Sequence, residues 1–200
     1  MSPPTDRPFK RRPLARLLQR YRYLPAIVGG AAIIALARPP GWWSLAGAVA
    51  VVAGTALRLW AAGYELPAAP TKMPIPAAGP YAWVRNPRAV GAVAIGMGLA
   101  AWGGGWEPWL ALAVGAGLAW QGTVRARRAD EEKEHLLGWE YRAYRAVVPL
   151  WLPRLTGLPA GAPARWRPGA ALRGEWAVLA FVAAVAAAAG VWGSAGSRLG

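Results

Sequence analysis

The feature that most limits how this chain can fold is the blocking of its apolar residues. Runs over 24–37, 42–62, 88–102, 106–124 and 170–193 are nearly free of charge, and segments rich in proline, glycine or arginine separate them. Crossing the hydrocarbon core of a bilayer takes about 20 mostly apolar helical residues. Of the 200 residues, 56% are apolar and 16% charged, with 13 Trp. A soluble domain of this size would carry more charge. The blocks predict one all-α domain over 1–200: a polytopic membrane helix bundle of about five transmembrane helices with a cytoplasmic amphipathic helix. With no Cys and a single His, His135, the chain offers neither disulfides nor a metal-ligand cluster.

Residues 1–23 form a basic arm carrying Arg7, Lys10, Arg11, Arg12, Arg16, Arg20 and Arg22. Four transmembrane helices are expected within 24–124. The first has a signal-peptide alternative, because Ala35-Leu36-Ala37 mimics a cleavage site. The long basic region, the nearby Pro39 and the tyrosines Tyr21 and Tyr23 favour a membrane helix. The second carries Trp42 and Trp43 at one interface and Trp60 and Tyr64 at the other, with Arg58 placed to snorkel. A loop over 63–87 holds Pro67, Pro70, Pro74, Pro76 and Pro80, and loops of this length are often functional. The third and fourth spans make a hairpin around Gly103-Gly104-Gly105, with Gly96, Gly98, Gly115 and Gly117 available for close packing. A cytoplasmic segment over 125–168 precedes a fifth transmembrane helix over 170–193. Within that segment Leu137, Tyr141, Tyr144 and Val148 follow a 4-3-4 spacing, the stripe of an amphipathic helix lying on a membrane surface, which Gly138 can interrupt.

The net charge of +14 fits this layout. With the N-terminus inside, the arm, the 63–87 loop and the 125–173 segment are all cytoplasmic, and only Arg38 and Arg198 lie outside. That is the positive-inside pattern for a multi-pass integral membrane protein with N-terminus cytoplasmic and C-terminus external. The excess arginine then faces anionic membrane lipids. Nucleic acid is excluded as a partner, since no binding module is present. Oligomeric state is not written in the sequence.

Two polar stretches flank the hairpin and fall on the same side. The first, 79–91, is GPYAWVRNPRAVG. Asn86 reads as an N-cap and Pro87 as the first helical residue, so Tyr81, Trp83, Arg85 and Asn86 meet the amide-rich start of an apolar helix. Such an end can hold a carboxylate. The second is RRADEEKEHLLGWEYRAYRAVVPLWLP, over 127–153.

The first stretch resembles the G-P-Y-x-x-V-R-[HN]-P-x-Y-x-G signature of integral-membrane methyltransferases of the isoprenylcysteine carboxyl methyltransferase and phospholipid methyltransferase family. The second resembles that family's acidic pair followed by G-x-E-Y-x-x-Y and V-P. The matching positions are Gly79, Pro80, Tyr81, Val84, Arg85, Asn86, Pro87 and Gly91, then Glu131, Glu132, Gly138, Glu140, Tyr141, Tyr144 and Pro149. The resemblance implies methyl transfer from S-adenosylmethionine to a lipophilic or small-molecule acceptor, in a small helix bundle whose active site faces the cytoplasm. It puts Arg85 and Asn86 at catalytic positions. Around the cofactor it puts Tyr81, Arg85, Asn86, Pro87, Gly91, Glu131, Glu132, Tyr141 and Tyr144. Arg85 and the helix amides would hold the donor carboxylate, Glu131 or Glu132 its ammonium or ribose hydroxyls, and aromatic faces its adenine or sulfonium.

Two departures stand beside it. Ala89 replaces the family's usual Tyr, and the interval from Glu132 to Gly138 is shorter, which leaves the register of Asp130, Glu131 and Glu132 open. They motivate a second reading, a non-catalytic membrane protein on the same scaffold, serving assembly or lipid binding. Each residue also has a plainer role: Arg85 as a positive-inside anchor, Glu131 and Glu132 as a solvated face, Tyr141 and Tyr144 as interface anchors.

Overall fold

The computed structural model describes residues 28, 30, 31, 42–64, 78–104, 108–156 and 165–196. They form five α-helices: α1 (Trp42–Tyr64), α2 (Pro87–Gly104), α3 (Pro108–Leu137), α4 (Trp139–Val147) and α5 (Pro168–Gly196). A short 3-10 turn, Gly79–Ala82, precedes α2. No strand occurs among the described residues. Trp43–Tyr64 of α1 and Pro168–Ala188 of α5 are long and apolar enough to cross a membrane, and Pro87–Trp102 is a shorter apolar helix. The expected first span and the basic arm lie outside the described residues, apart from Val28, Gly30 and Ala31, which are helical. Gly30 packs beside Phe181 and Val185 of α5. The 65–77 part of the proline-rich loop is also outside.

Glycine sets the central packing. Gly47 faces Gly98 and Gly54 faces Gly91, each pair so close that a Cβ on either partner would stand 2.6–2.7 Å from the other's carbonyl oxygen. The pairs are one heptad apart on both helices, so α1 and α2 touch backbone to backbone along one antiparallel seam. Gly98 therefore serves α1, not the α2–α3 hairpin expected from the sequence. In that hairpin Gly96 meets Val114 and Leu118, Gly115 meets Met97, and Gly117 faces open space. The seam continues into a core of Val51, Ile95, Leu99, Ala100 and Val185, with Phe181 packed against it. Gly47→Ala would push a methyl into backbone atoms of Gly98 and Trp102 that cannot rotate away. Overpacking of this kind costs about 1–3 kcal/mol. Thermal unfolding in detergent is expected to drop for Gly47→Ala and to stay unchanged for Gly117→Ala.

The reading of 125–149 as one surface helix needs correction. The 30-residue α3 runs without interruption from its apolar half through the charged RARRADEEKEH stretch to Leu137. Neither glycine nor proline stands between Val124 and Leu137, so nothing ends the helix there. Gly138 does, at φ +59°, a backbone conformation that glycine adopts without a Cβ penalty. Beyond it, the stripe of Leu137, Tyr141, Tyr144 and Val148 is packed inside the protein as a cluster of its own. The apolar face that looked suited to a membrane surface is covered by the chain itself.

Helix α5 is tied to α1 and α2 by charge. Glu175, 1% exposed, accepts from Arg58 Nε at 2.8 Å and lies 2.7 Å from Arg88 Nη2. Arg58 also donates to the Arg88 carbonyl at 2.8 Å. Arg58 is thus not a snorkelling residue: its side chain turns inward and is neutralised there.

Candidate functional site

Three bonds clasp the two polar stretches together. Tyr144 Oη donates to the Tyr81 carbonyl at 2.9 Å. The Arg85 N–H donates to the Pro149 carbonyl at 2.8 Å, and the Arg154 N–H to the Trp83 carbonyl at 3.0 Å. Residues 78–86 owe their shape to Gly79 and Pro80. Gly79 at φ +58° turns the chain against the Tyr64 ring, and Pro80 starts the 3-10 turn, accepting from both Trp83 and Val84. This turn delivers Arg85 to a place just before α2, facing the charged half of α3.

There Arg85 Nη1 lies 3.1 Å from Asp130 Oδ2, with side-chain exposures of 13% and 9%. The other Asp130 oxygen accepts from Tyr141 Oη. Arg85 Nε is buried with no hydrogen-bond partner among the described residues. A guanidinium with an unspent donor therefore stands beside a carboxylate that the Tyr141 hydroxyl also holds. A buried donor left unpaired costs about 1–3 kcal/mol, so an acceptor arriving there is favoured.

Of the residues singled out in the sequence, Tyr81, Arg85, Tyr141 and Tyr144 come together here. Pro87 is fully buried at the start of α2. The Asn86 carbonyl accepts from Ala89 and Val90, the backbone pattern of an N-cap. Those two amides are consequently taken, and Pro87 has none. The Asn86 side chain, part exposed, makes no hydrogen bond among the described residues. Gly91 sits elsewhere, wedged against Gly54 and the Arg58 stem, and its role there is packing. Glu131 and Glu132 are both exposed, and neither pairs with Arg85 among the described residues; Glu131 lines a separate recess with Glu134, His135 and Arg142.

The acid that reaches Arg85 is Asp130, whose register the sequence had left open. One signal could have fixed it. Stepping one heptad back from Leu137 along the buried stripe lands on Asp130, and a further turn back lands on Ala126, which is also buried. The Arg58–Glu175–Arg88 network was missed as well. Its signal was that a lone acid in the fifth apolar run needs a cationic partner, and Arg58 and Arg88 were the cations on neighbouring apolar helices.

Burial pushes the hydroxyls of Tyr141 and Tyr144 well above the ordinary tyrosine range. For Tyr141 the hydrogen bond to Asp130 and the Asp130 charge push further, while Arg85 pulls back. For Tyr144 Arg85 pulls the value down and Asp130 raises it, so burial decides the sign. The folded state therefore holds these protons more tightly than the unfolded chain. Their contribution to stability is complete below the ordinary value of about 10 and is lost progressively as pH rises from there toward the higher folded values. In an ultraviolet titration of the six tyrosines, two are expected to ionise only as the protein unfolds in alkali.

Among the described residues no group of three or more His, Cys, Asp or Glu is placed to hold a metal ion. The site has no nucleophile beside a base. What it offers is one positive and one negative group side by side, next to two buried tyrosines. No family model, curated protein or solved structure matches the chain.

Proposed function

We propose that the chain is a multi-pass membrane methyltransferase that uses S-adenosylmethionine to methylate a lipophilic or small-molecule acceptor at the cytoplasmic face. The observation that carries this reading is the Arg85–Asp130 pair with its unspent Arg85 Nε. The methionine part of the donor is a zwitterion. Its carboxylate fits Arg85 Nε and its ammonium fits Asp130, so four charges would alternate. The buried side chains of Tyr141 and Tyr144 lie next to that pair and help keep water from it. Methyl transfer asks for in-line approach and exclusion of water, so the absence of a general base beside the pair is no obstacle. The resemblance of both stretches to the isoprenylcysteine carboxyl methyltransferase family supports the same assignment, as do the five-span topology and the inward-facing charge expected from the sequence.

A second reading has its own observation. Asp130 already neutralises Arg85, and both tyrosine hydroxyls are already spent inside the protein. A non-catalytic scaffold would use the same residues as a clamp. Donor affinity separates the two. Asp130→Asn is expected to weaken S-adenosylmethionine binding about ten- to a hundredfold, the equivalent of one charge-assisted hydrogen bond. Glu131→Gln and Glu132→Gln, both at exposed positions, are expected to bind like the parent. Equal affinity in all three variants would count for the clamp.

A further inference from the structure

A second feature lies beside the clasp and takes no part in it. An open cleft of about 250 Å³ runs between the last turns of α1, the 3-10 turn and the start of α2. Its walls include Leu57, Trp60, Pro80, Trp83, Val90 and Pro153, and every lining residue is apolar. Trp60 and Trp83 remain 43% and 40% exposed along it. A methyl donor with a carboxylate, an ammonium and a ribose has no polar partner in such a cleft, because ligand sites fix orientation with a few placed polar groups.

The cleft does have a charge at its border. Pro153 is a wall residue, and the next residue, Arg154, is pinned through its N–H to the carbonyl of Trp83, another wall residue. Arg154 Nη1 is buried with no hydrogen-bond partner, and no ion pair of Arg154 occurs among the described residues. Its guanidinium thus has no carboxylate partner among the described residues and lies within one side-chain length of an apolar slot. Leu57 and Trp60 belong to the last two turns of a helix apolar enough to span a bilayer, so the slot lies where acyl chains give way to headgroups. Basic pockets between membrane helices on that side suit lipid phosphates.

We propose that this cleft and Arg154 form a binding site for one anionic phospholipid of the surrounding leaflet, with an acyl chain along Leu57, Trp83 and Val90 and the phosphate on Arg154. The site holds a lipid in place; it does not supply the methyl acceptor. The apolar walls explain why the ligand needs a chain, and a guanidinium with no carboxylate partner among the described residues explains why its head is anionic. The inference does not depend on methyl transfer.

The test is native mass spectrometry of the full-length protein, extracted in detergent and offered phosphatidylglycerol or phosphatidylcholine with matched chains, with no methyl donor present. Phosphatidylglycerol has neither amine nor carboxylate to accept a methyl group, so its retention reports binding alone. The parent should keep one phosphatidylglycerol in preference to phosphatidylcholine. Arg154→Gln should lower that retention about tenfold, as expected for one charge-assisted contact. Leu57→Trp should fill the slot and reduce both lipids. Trp83→Ala, which removes a wall, replaces it if thermal unfolding shows Leu57→Trp to be misfolded. Excess inorganic phosphate should leave the lipid bound. Equal retention of the two lipids by the parent, unchanged retention in Arg154→Gln, or displacement by phosphate alone would each overturn the proposal.

Discussion

Arg85→Ala and Asp130→Ala are each expected to destabilise the protein and to weaken S-adenosylmethionine binding, and the two effects can be pulled apart. In each single variant a mostly buried charge loses its partner across 3.1 Å. Breaking such a pair from one side costs about 3–5 kcal/mol, because the remaining charge stays desolvated. Asp130→Ala also strips the Tyr141 hydroxyl of its acceptor. Replacing both residues by apolar ones of similar size, Arg85→Met with Asp130→Leu, removes the stranded charge and should recover much of the loss. Donor affinity should not recover, since both ends of the zwitterion would then lack a partner. The single variants are expected to lose about ten- to a hundredfold in affinity, and the double variant at least as much. Thermal unfolding and calorimetric titration on the same samples give both numbers. A stable double variant that still bound the donor like the parent would show that the pair is a clamp and nothing more.

Glu175→Ala is expected to have the largest effect on the fold. Glu175 accepts from Arg58 on α1 and pairs with Arg88 on α2 while sitting on α5, at 1% exposure. Its removal takes the carboxylate from two guanidinium groups, the mostly buried Arg58 and the part-exposed Arg88. The expected cost is again about 3–5 kcal/mol, set mainly by the buried Arg58. Inside a membrane helix bundle unpaired charge is more costly still. Glu175→Gln keeps a hydrogen-bond acceptor and should fall between the parent and alanine. Because α5 reaches α1 and α2 through this contact, limited proteolysis should cut before Pro168 more readily in Glu175→Ala. Unchanged thermal unfolding in Glu175→Ala would mean that α5 is held by its apolar contacts alone.

Much of this architecture was legible because it depends on local patterns. The apolar blocks announce helices, Asn86-Pro87 marks a helix start, and the 4-3-4 stripe ending at Val148 names a buried face. What the stripe packs against was not legible. Tyr141 and Tyr144 would look the same on a membrane surface as they do over Asp130, since periodicity gives a face and not its partner. Gly98 illustrates the same gap: a small residue permits close approach, but only the three-dimensional arrangement shows that α1 makes it. The site was half legible for a related reason. Arg85 is flanked by turn residues that fix its position. Asp130, Glu131 and Glu132 follow one another on a continuous helix, where a step of one residue turns a side chain by about 100°. The structure faces Asp130 toward Arg85 and leaves its two neighbours in the open.

The measurement that bears most directly on the central claim is calorimetric titration of the detergent-solubilised parent protein with S-adenosylmethionine, with thermal unfolding run alongside to establish that the protein is folded. The Arg85–Asp130 account predicts saturable binding of one donor per chain below millimolar concentration, accompanied by a rise in unfolding temperature as donor is added. A folded parent that takes up no donor at millimolar concentration would contradict it, and would leave the two stretches as a structural clasp.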